Sequence, residues 1–186
     1  MRRLTVLCTV LALAALAVAG CGGGTGQLVT SADTEGIYLD LGGMKYQVQM
    51  SRYLNPSDVE DRSYLLGLPK NAGTTGSETW FGIWMRVQNE TDKPLPAASD
   101  YEIVDTQDNV YRPVPLDAKA NPFAYQPGTV GPKSLLPLPD SAAGSGPIQG
   151  ALVLFKLRVD SLQNRPLELR ISQGPGQKPV TADIDV

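Results

Sequence analysis

The residues able to do chemistry in this chain of 186 residues are few, and the missing types narrow the field first. There is no histidine. A Ser-His-Asp or Cys-His nucleophile therefore cannot be assembled. Catalytic zinc sites and blue-copper sites lose their usual nitrogen ligand. The chain shows no Ser-x-x-Lys pair, no phosphate-binding glycine loop and no dinucleotide fingerprint. What remains is carboxylate chemistry. Asp58, Glu60 and Asp61 cluster near Arg52 and Arg62. Two such groups facing each other across a cleft would suit glycoside hydrolysis. A solvated acidic turn with helix capping and surface ion pairs explains the same residues more simply. Asp105, Asp108 and Asn109 offer oxygen ligands for calcium, but they lack the glycine and terminal glutamate of an EF-hand loop. A hairpin turn is the simpler role. No metal site and no cofactor are expected.

A second set of residues is aromatic. Phe81, Ile83, Met85 and Val87 alternate with Trp80, Gly82, Trp84, Arg86 and Gln88. The first face is uniformly apolar and should pack on the core. Trp80 and Trp84 then point the other way, with Arg86 in place to stack on Trp84. Together with Tyr125 these residues are candidate contacts for a protein partner. The competing expectation is that a proline-rich stretch covers both indoles.

The third chemical group is Cys21. Arg2 and Arg3 precede an apolar run from Leu4 to Val18, and small residues follow to Cys21. That is the three-part layout of a secretory signal. The run of about fifteen residues is short of the roughly twenty that a membrane-spanning helix needs. Val18-Ala19-Gly20-Cys21 resembles the bacterial lipobox, in which the thiol receives a diacylglyceryl group before cleavage. Two acyl chains anchor a protein stably, because each buried methylene contributes about 0.8 kcal/mol. Residues 1–20 are thus expected to be a cleaved signal peptide. Residues 21–35 should be a lipidated cysteine followed by a flexible Gly/Ser/Thr-rich tether. The expected location is the extracytoplasmic face of the cell membrane.

The composition fits that address. The chain carries 16 basic and 19 acidic residues. Losing Arg2 and Arg3 leaves a formal charge of about −5, which argues against nucleic acid as a partner. With Cys8 removed and Cys21 lipidated, no disulfide can form, and the remaining domain must rest on its own apolar core.

That domain, residues 36–186, reads as short alternating runs broken by Gly, Pro and Asn, the pattern of antiparallel β structure. Ile37–Leu41 and Tyr46–Met50 flank a Gly42-Gly43 turn, with Tyr46, Val48 and Met50 on one face and Lys45, Gln47 and Gln49 on the other. Asn55-Pro56-Ser57-Asp58 should cap a short helical turn running to about Arg62. Trp80–Asn89, Tyr101–Val104, Val110–Tyr111, Ala151–Val159, Leu167–Ile171 and Val180–Val186 supply the other strands. About seven strands with turns between them predict an all-β sandwich. Residues 112–147 hold eight prolines, from Pro113 to Pro147, and cannot form a central strand. Their apolar residues, among them Leu116, Phe123 and Tyr125, suggest a long connection wrapped over the sandwich.

Met85-Arg86-Val87-Gln88-Asn89-Glu90-Thr91-Asp92-Lys93-Pro94-Leu95 resembles a strand-turn pattern found in secreted Gram-positive lipoproteins. A strand with central Asp105, a later strand with Phe155 and a Leu167-Glu168-Leu169 strand continue the likeness. The resemblance is to the immunoglobulin-like domain of immunoprotective extracellular antigens, over roughly residues 46–171. It implies an immunoglobulin-like β-sandwich and an envelope location, and it carries over no catalytic residue. The expected function is a non-enzymatic, membrane-anchored module that binds an envelope protein. One alternative is a carrier or sensor of a small ligand, with the proline-rich segment as a lid. The other is a hydrolase using Asp58, Glu60 or Asp61.

Overall fold

The strand around Trp84 shows how the alternation is spent. A computed structural model of the protein describes residues 26–184. The expected signal peptide, residues 1–20, and Cys21 lie outside the described residues. In chain order the strands are β1 (Ser31–Ala32), β2 (Leu39–Leu41), β3 (Met44–Leu54), β4 (Glu78–Gln88), β5 (Leu95–Pro96) and β6 (Asp100–Val104). They continue with β7 (Val110–Tyr111), β8 (Thr129–Val130), β9 (Leu135–Leu136), β10 (Ala151–Arg158), β11 (Leu167–Ser172) and β12 (Val180–Ile184). Two short helices, α1 (Val59–Tyr64) and α2 (Ala142–Ser145), and a 3-10 turn at Val159–Gln163 complete the set.

The strands form an all-β sandwich. One sheet runs β1-β12-β11-β6-β7 and the other β10-β4-β3-β2, with β9 also pairing on β4. Strands β4 and β10 pair antiparallel in one sheet, while β6 and β11 pair in the other. The chain therefore crosses between sheets after β4 and again after β10, which is the Greek-key logic of an immunoglobulin-like sandwich. Phe81, Ile83, Met85 and Val87 of β4 are all fully buried between the sheets, with Tyr46, Phe155, Leu169 and Ile171.

Three departures from the sequence reading matter for function. Pairing begins inside the segment read as tether. Ser31 pairs with Thr181 in a parallel ladder, and Val29 N–H donates to the Asp40 carboxylate at 2.9 Å. A backbone edge offered by β12 overrides the low apolar content of this stretch.

Second, β3 contains a bulge. Val48 pairs with Met85, but Met50 pairs with Trp84. One extra residue turns every later side chain to the opposite face. Met50, read as a core residue, is consequently 38% exposed. Tyr53 now meets Phe81 inside the sandwich at 5.1 Å between ring centroids. Arg52 and Leu54 move to the outer face.

Third, β10 and β4 are buried on both faces. The outer layer holds Leu54, Tyr64, Trp80, Trp84, Leu152 and Leu154, with Val114, Leu116 and Phe123 packed against them. No second sheet covers this side. The cover is irregular chain from α1 and from residues 112–147. Part of that chain lies along the free edge of β10, where a further strand would otherwise pair. Val114 N–H donates to Leu154 O at 2.7 Å, and Leu152 N–H donates to Phe123 O at 2.7 Å.

Candidate functional site

Trp80 and Trp84 do not form a docking patch. They are 3% and 0% exposed. Tyr64 meets Trp84 edge-on, with ring centroids 5.0 Å apart, and Phe123 meets Tyr64 at 4.9 Å. Their burial rests on Gly82. A Cβ there would lie 2.9 Å from the outer ring atoms of Trp84, so the indole lies directly over a bare backbone. The cation on the ring is also a different one. Arg52, not Arg86, sits 5.5 Å from the Trp84 ring centre and 5.8 Å from that of Tyr64. The β3 bulge is what brings Arg52 to this face.

Arg52 also organises the acidic cluster. Its guanidinium lies 2.6 Å from Asp61 and 3.7 Å from Glu60. Asp61, read as part of a solvated turn, is buried and accepts a hydrogen bond from Asn55 N–H at 2.7 Å. Asp58 is the N-cap of α1, accepting from Glu60 N–H and Asp61 N–H at 2.8 and 3.1 Å. The cap thus falls at Asp58 itself, three residues after Asn55, because the carboxylate there reaches two free helix donors. A cleft of about 570 Å³ adjoins the cluster, and Met50, Pro147 and Ile148 share its lining with Asp58, Glu60 and Asp61. All three carboxylates come from one turn of chain, and each has a structural partner. That arrangement does not supply the facing pair that glycoside hydrolysis needs.

Asp105 closes the β6–β7 hairpin rather than a calcium loop. Its carboxylate accepts from Gln107 N–H, Asn109 N–H, the Asn109 amide and Ser161 Oγ, at 2.9–3.1 Å. Asn164 adds a further donor at 3.2 Å. Burial acts to raise its pKa, but the donors from Asn109, Asn164 and Gln107 outweigh burial and hold it at about 2. Asp108 takes the positive backbone φ of 60° that the turn requires. The acceptor sites of Asp105 are thereby occupied within the protein.

The concave feature that survives is the cleft beneath the proline-rich segment, about 480 Å³ in volume. Pro113–Leu116 and Ala124–Pro127 form its outer walls, and Leu152–Leu154 of β10 with Ser99 and Tyr101 form its floor. None of the lining side chains is charged. The walls are fixed. Tyr125 N–H donates to Leu152 O at 2.8 Å. The buried Asn121 donates to Tyr64 O and Leu66 O at 2.8 and 3.0 Å and accepts from Phe123 N–H at 2.9 Å. Residues 112–127 are therefore a pinned roof, and the expectation of a lid is corrected to that extent.

Three tyrosines gather at one end of the cleft. Tyr46 OH accepts from Ala98 N–H at 2.8 Å, and Tyr125 OH donates to Ala98 O at 2.9 Å. Tyr101 packs edge-on against Tyr125 at 5.2 Å. The Tyr101 hydroxyl is buried beside that of Tyr125. Burial raises the pKa of all three phenols, that of Tyr46 to about 12. At neutral pH they are uncharged donors. Of the four candidate contacts, Tyr125 thus lines the main cleft and Arg86 lies elsewhere, half-buried on β4. The sequence reading missed Tyr101 and Ser99, whose strand alternation carried no sign of a cleft.

No protein-family model matches the chain, and no curated protein matches it. Solved structures do. The chain is similar to the yjhA protein from Bacillus subtilis, at a TM-score of 0.51 and 10% identity, with 82% of this chain and 99% of that chain covered. It is also similar to an uncharacterized beta-sandwich protein from Clostridium difficile 630, at a TM-score of 0.45 and 10% identity, with 82% and 93% covered. At such identities the likeness concerns the fold alone.

Proposed function

We propose that this protein is a non-enzymatic binding module, held at the extracytoplasmic face of the cell membrane by a lipid on Cys21, that takes a small uncharged ligand under its proline-rich segment. The observation that carries the binding role is the cleft of about 480 Å³ whose lining has no charged side chain. Clefts of several hundred Å³ with few polar groups suit small ligands. Leu152, Leu154 and Leu116 supply apolar contact, while Ser99 and Gln126 supply polar contact at the rim. The ligand is accordingly a neutral molecule with an apolar body and polar groups that meet Ser99 and Gln126. The membrane address rests on the signal layout and on Val18-Ala19-Gly20-Cys21.

The binding test uses the full chain in phosphatidylcholine nanodiscs, titrated with the uncharged probe N-acetyl-leucine methylamide. The amide resonances of Tyr125 and Leu152–Leu154 should shift saturably, and Ala118→Trp, which fills the cleft, should abolish the shift. Equal shifts in both proteins, or none, would defeat the reading. For the address, Cys21→Ser should lose metabolic labelling by palmitate. Undiminished labelling would remove the lipid anchor from the account.

A further inference from the structure

Arg86 is a half-buried cation with no ion pair, hydrogen bond or ring contact among the described residues. The other arginines on the same sheet are engaged, Arg52 with Asp61 and Arg158 with Asp160. Two clefts meet at Arg86. One, about 390 Å³, is shared with Leu135, Pro137, Pro139, Ser145 and Gln149. The other, about 500 Å³, is shared with Gln88, Lys133, Ser134 and Glu90. Arg86 and Leu135 line both, so the two clefts adjoin at these side chains.

The charge around these clefts is uneven. They hold two cations, Arg86 and Lys133, and a single acid, Glu90. Lys133 donates to the backbone carbonyl of Glu90 at 2.6 Å and lies 3.4 Å from the exposed Asp92, the Glu90 carboxylate accepts from the Gln88 amide at 3.2 Å, and no acid among the described residues pairs with Arg86. A partly desolvated guanidinium favours an anion, and its planar fork matches the paired oxygens of a carboxylate or phosphate. The Gln149 amide lines one cleft and the Ser134 hydroxyl the other, and both are neutral donors. Leu135, Pro137 and Pro139 add an apolar wall to one side.

We infer that Arg86 is the centre of a binding site for an oxyanion, a carboxylate or phosphate group attached to an apolar body, separate from the uncharged cleft under residues 113–127. Such a group comes either from a soluble molecule or from an anionic lipid headgroup, and the test separates the two. The full chain is placed in phosphatidylcholine nanodiscs, and the Arg86 side-chain N–H resonance is assigned by its loss in Arg86→Gln. Inorganic phosphate is titrated in one arm. In the other, phosphatidylglycerol replaces part of the phosphatidylcholine.

A shift with phosphate that half-saturates near or below about 1 mM supports a soluble anion. A shift with phosphatidylglycerol alone supports a headgroup. In either case Gln149 and Ser134 amides should move with Arg86, and Arg86→Gln should weaken the response about tenfold or more. No shift in either arm overturns the proposal. So does an equal response of Gln149 and Ser134 in Arg86→Gln, because the anion would then sit elsewhere. Ala118→Trp, which blocks the other cleft, should leave the Arg86 response unchanged, so the two sites fail independently.

Discussion

The two faces of β4 bury aromatic and aliphatic residues equally well but by different means. On the inner face, Phe81, Ile83, Met85 and Val87 meet a second sheet whose own residues alternate. On the outer face, Trp80 and Trp84 meet α1, Arg52 and a proline-rich loop. Regular partners leave a periodic trace in the sequence, whereas an irregular cover leaves none. The lesson is that a strand with apolar residues on both faces need not be central in a stack of sheets. Here it has a sheet on one side and a roof on the other.

The comparison can be broken at its largest contact. Trp84→Ala should destabilise the fold by about 4 kcal/mol, close to the effect of Phe81→Ala, if the outer layer is a true core. Chemical denaturation of both variants decides it. A Trp84 loss below about 1 kcal/mol would make the outer layer a loose cover.

Next is the ion pair that ties α1 to the sheet. Asp61 is nearly buried and Arg52 is its close cation, so Arg52→Ala should cost about 3 kcal/mol, mostly by stranding the Asp61 charge. The double variant Arg52→Ala/Asp61→Ala should recover part of that loss. A double variant no better than Arg52→Ala would assign the effect to lost stacking on Trp84 instead.

Asp105 gives a pH signature confined to the inner sandwich. Its folded pKa of about 2 is below the ordinary 3.8, so its contribution is fully present above pH 4. It is lost as the pH falls through about 2, because the unfolded chain then binds the proton first. The contribution is roughly 2 kcal/mol. Asp105→Asn should remove it at neutral pH and flatten the acid limb of a stability-against-pH curve. An unchanged acid limb would place the acid sensitivity in other carboxylates.

The smallest effect sharpens the description of the roof. Asn121→Ala removes two hydrogen bonds that hold residues 112–127 to Tyr64 at the end of α1 and to Leu66, and a third within the segment, and should cost about 2 kcal/mol. Hydrogen exchange should quicken at Phe123 and Tyr125 while the β11–β12 ladder stays protected. Uniform quickening across both would mean that roof and sandwich open together.

Much of this was legible in the residues. Alternation located the main strands, and the inner face of β4 was assigned residue by residue. The Asp105–Asn109 turn was assigned correctly, although its donors from Ser161 and Asn164 are more than fifty residues away in sequence and could not be foreseen. The candidate contacts fared unevenly. Trp80 and Trp84 were placed on the correct face, but exposure is a property of what covers a face. The bulge in β3 was invisible, since Gln49 looks like any outward polar residue, yet it turned Met50 out of the core and placed Arg52 on Trp84.

The sequence by itself determined the class of fold and the exclusion of histidine chemistry, because periodicity and composition are local properties. Only the tertiary structure decided which face was open, which cation was free and where the clefts lie. Those depend on the path of a proline-rich segment that pairs with β10 at a few points and follows no period. A chain without regular hydrogen bonding carries no repeating pattern from which its course could be read.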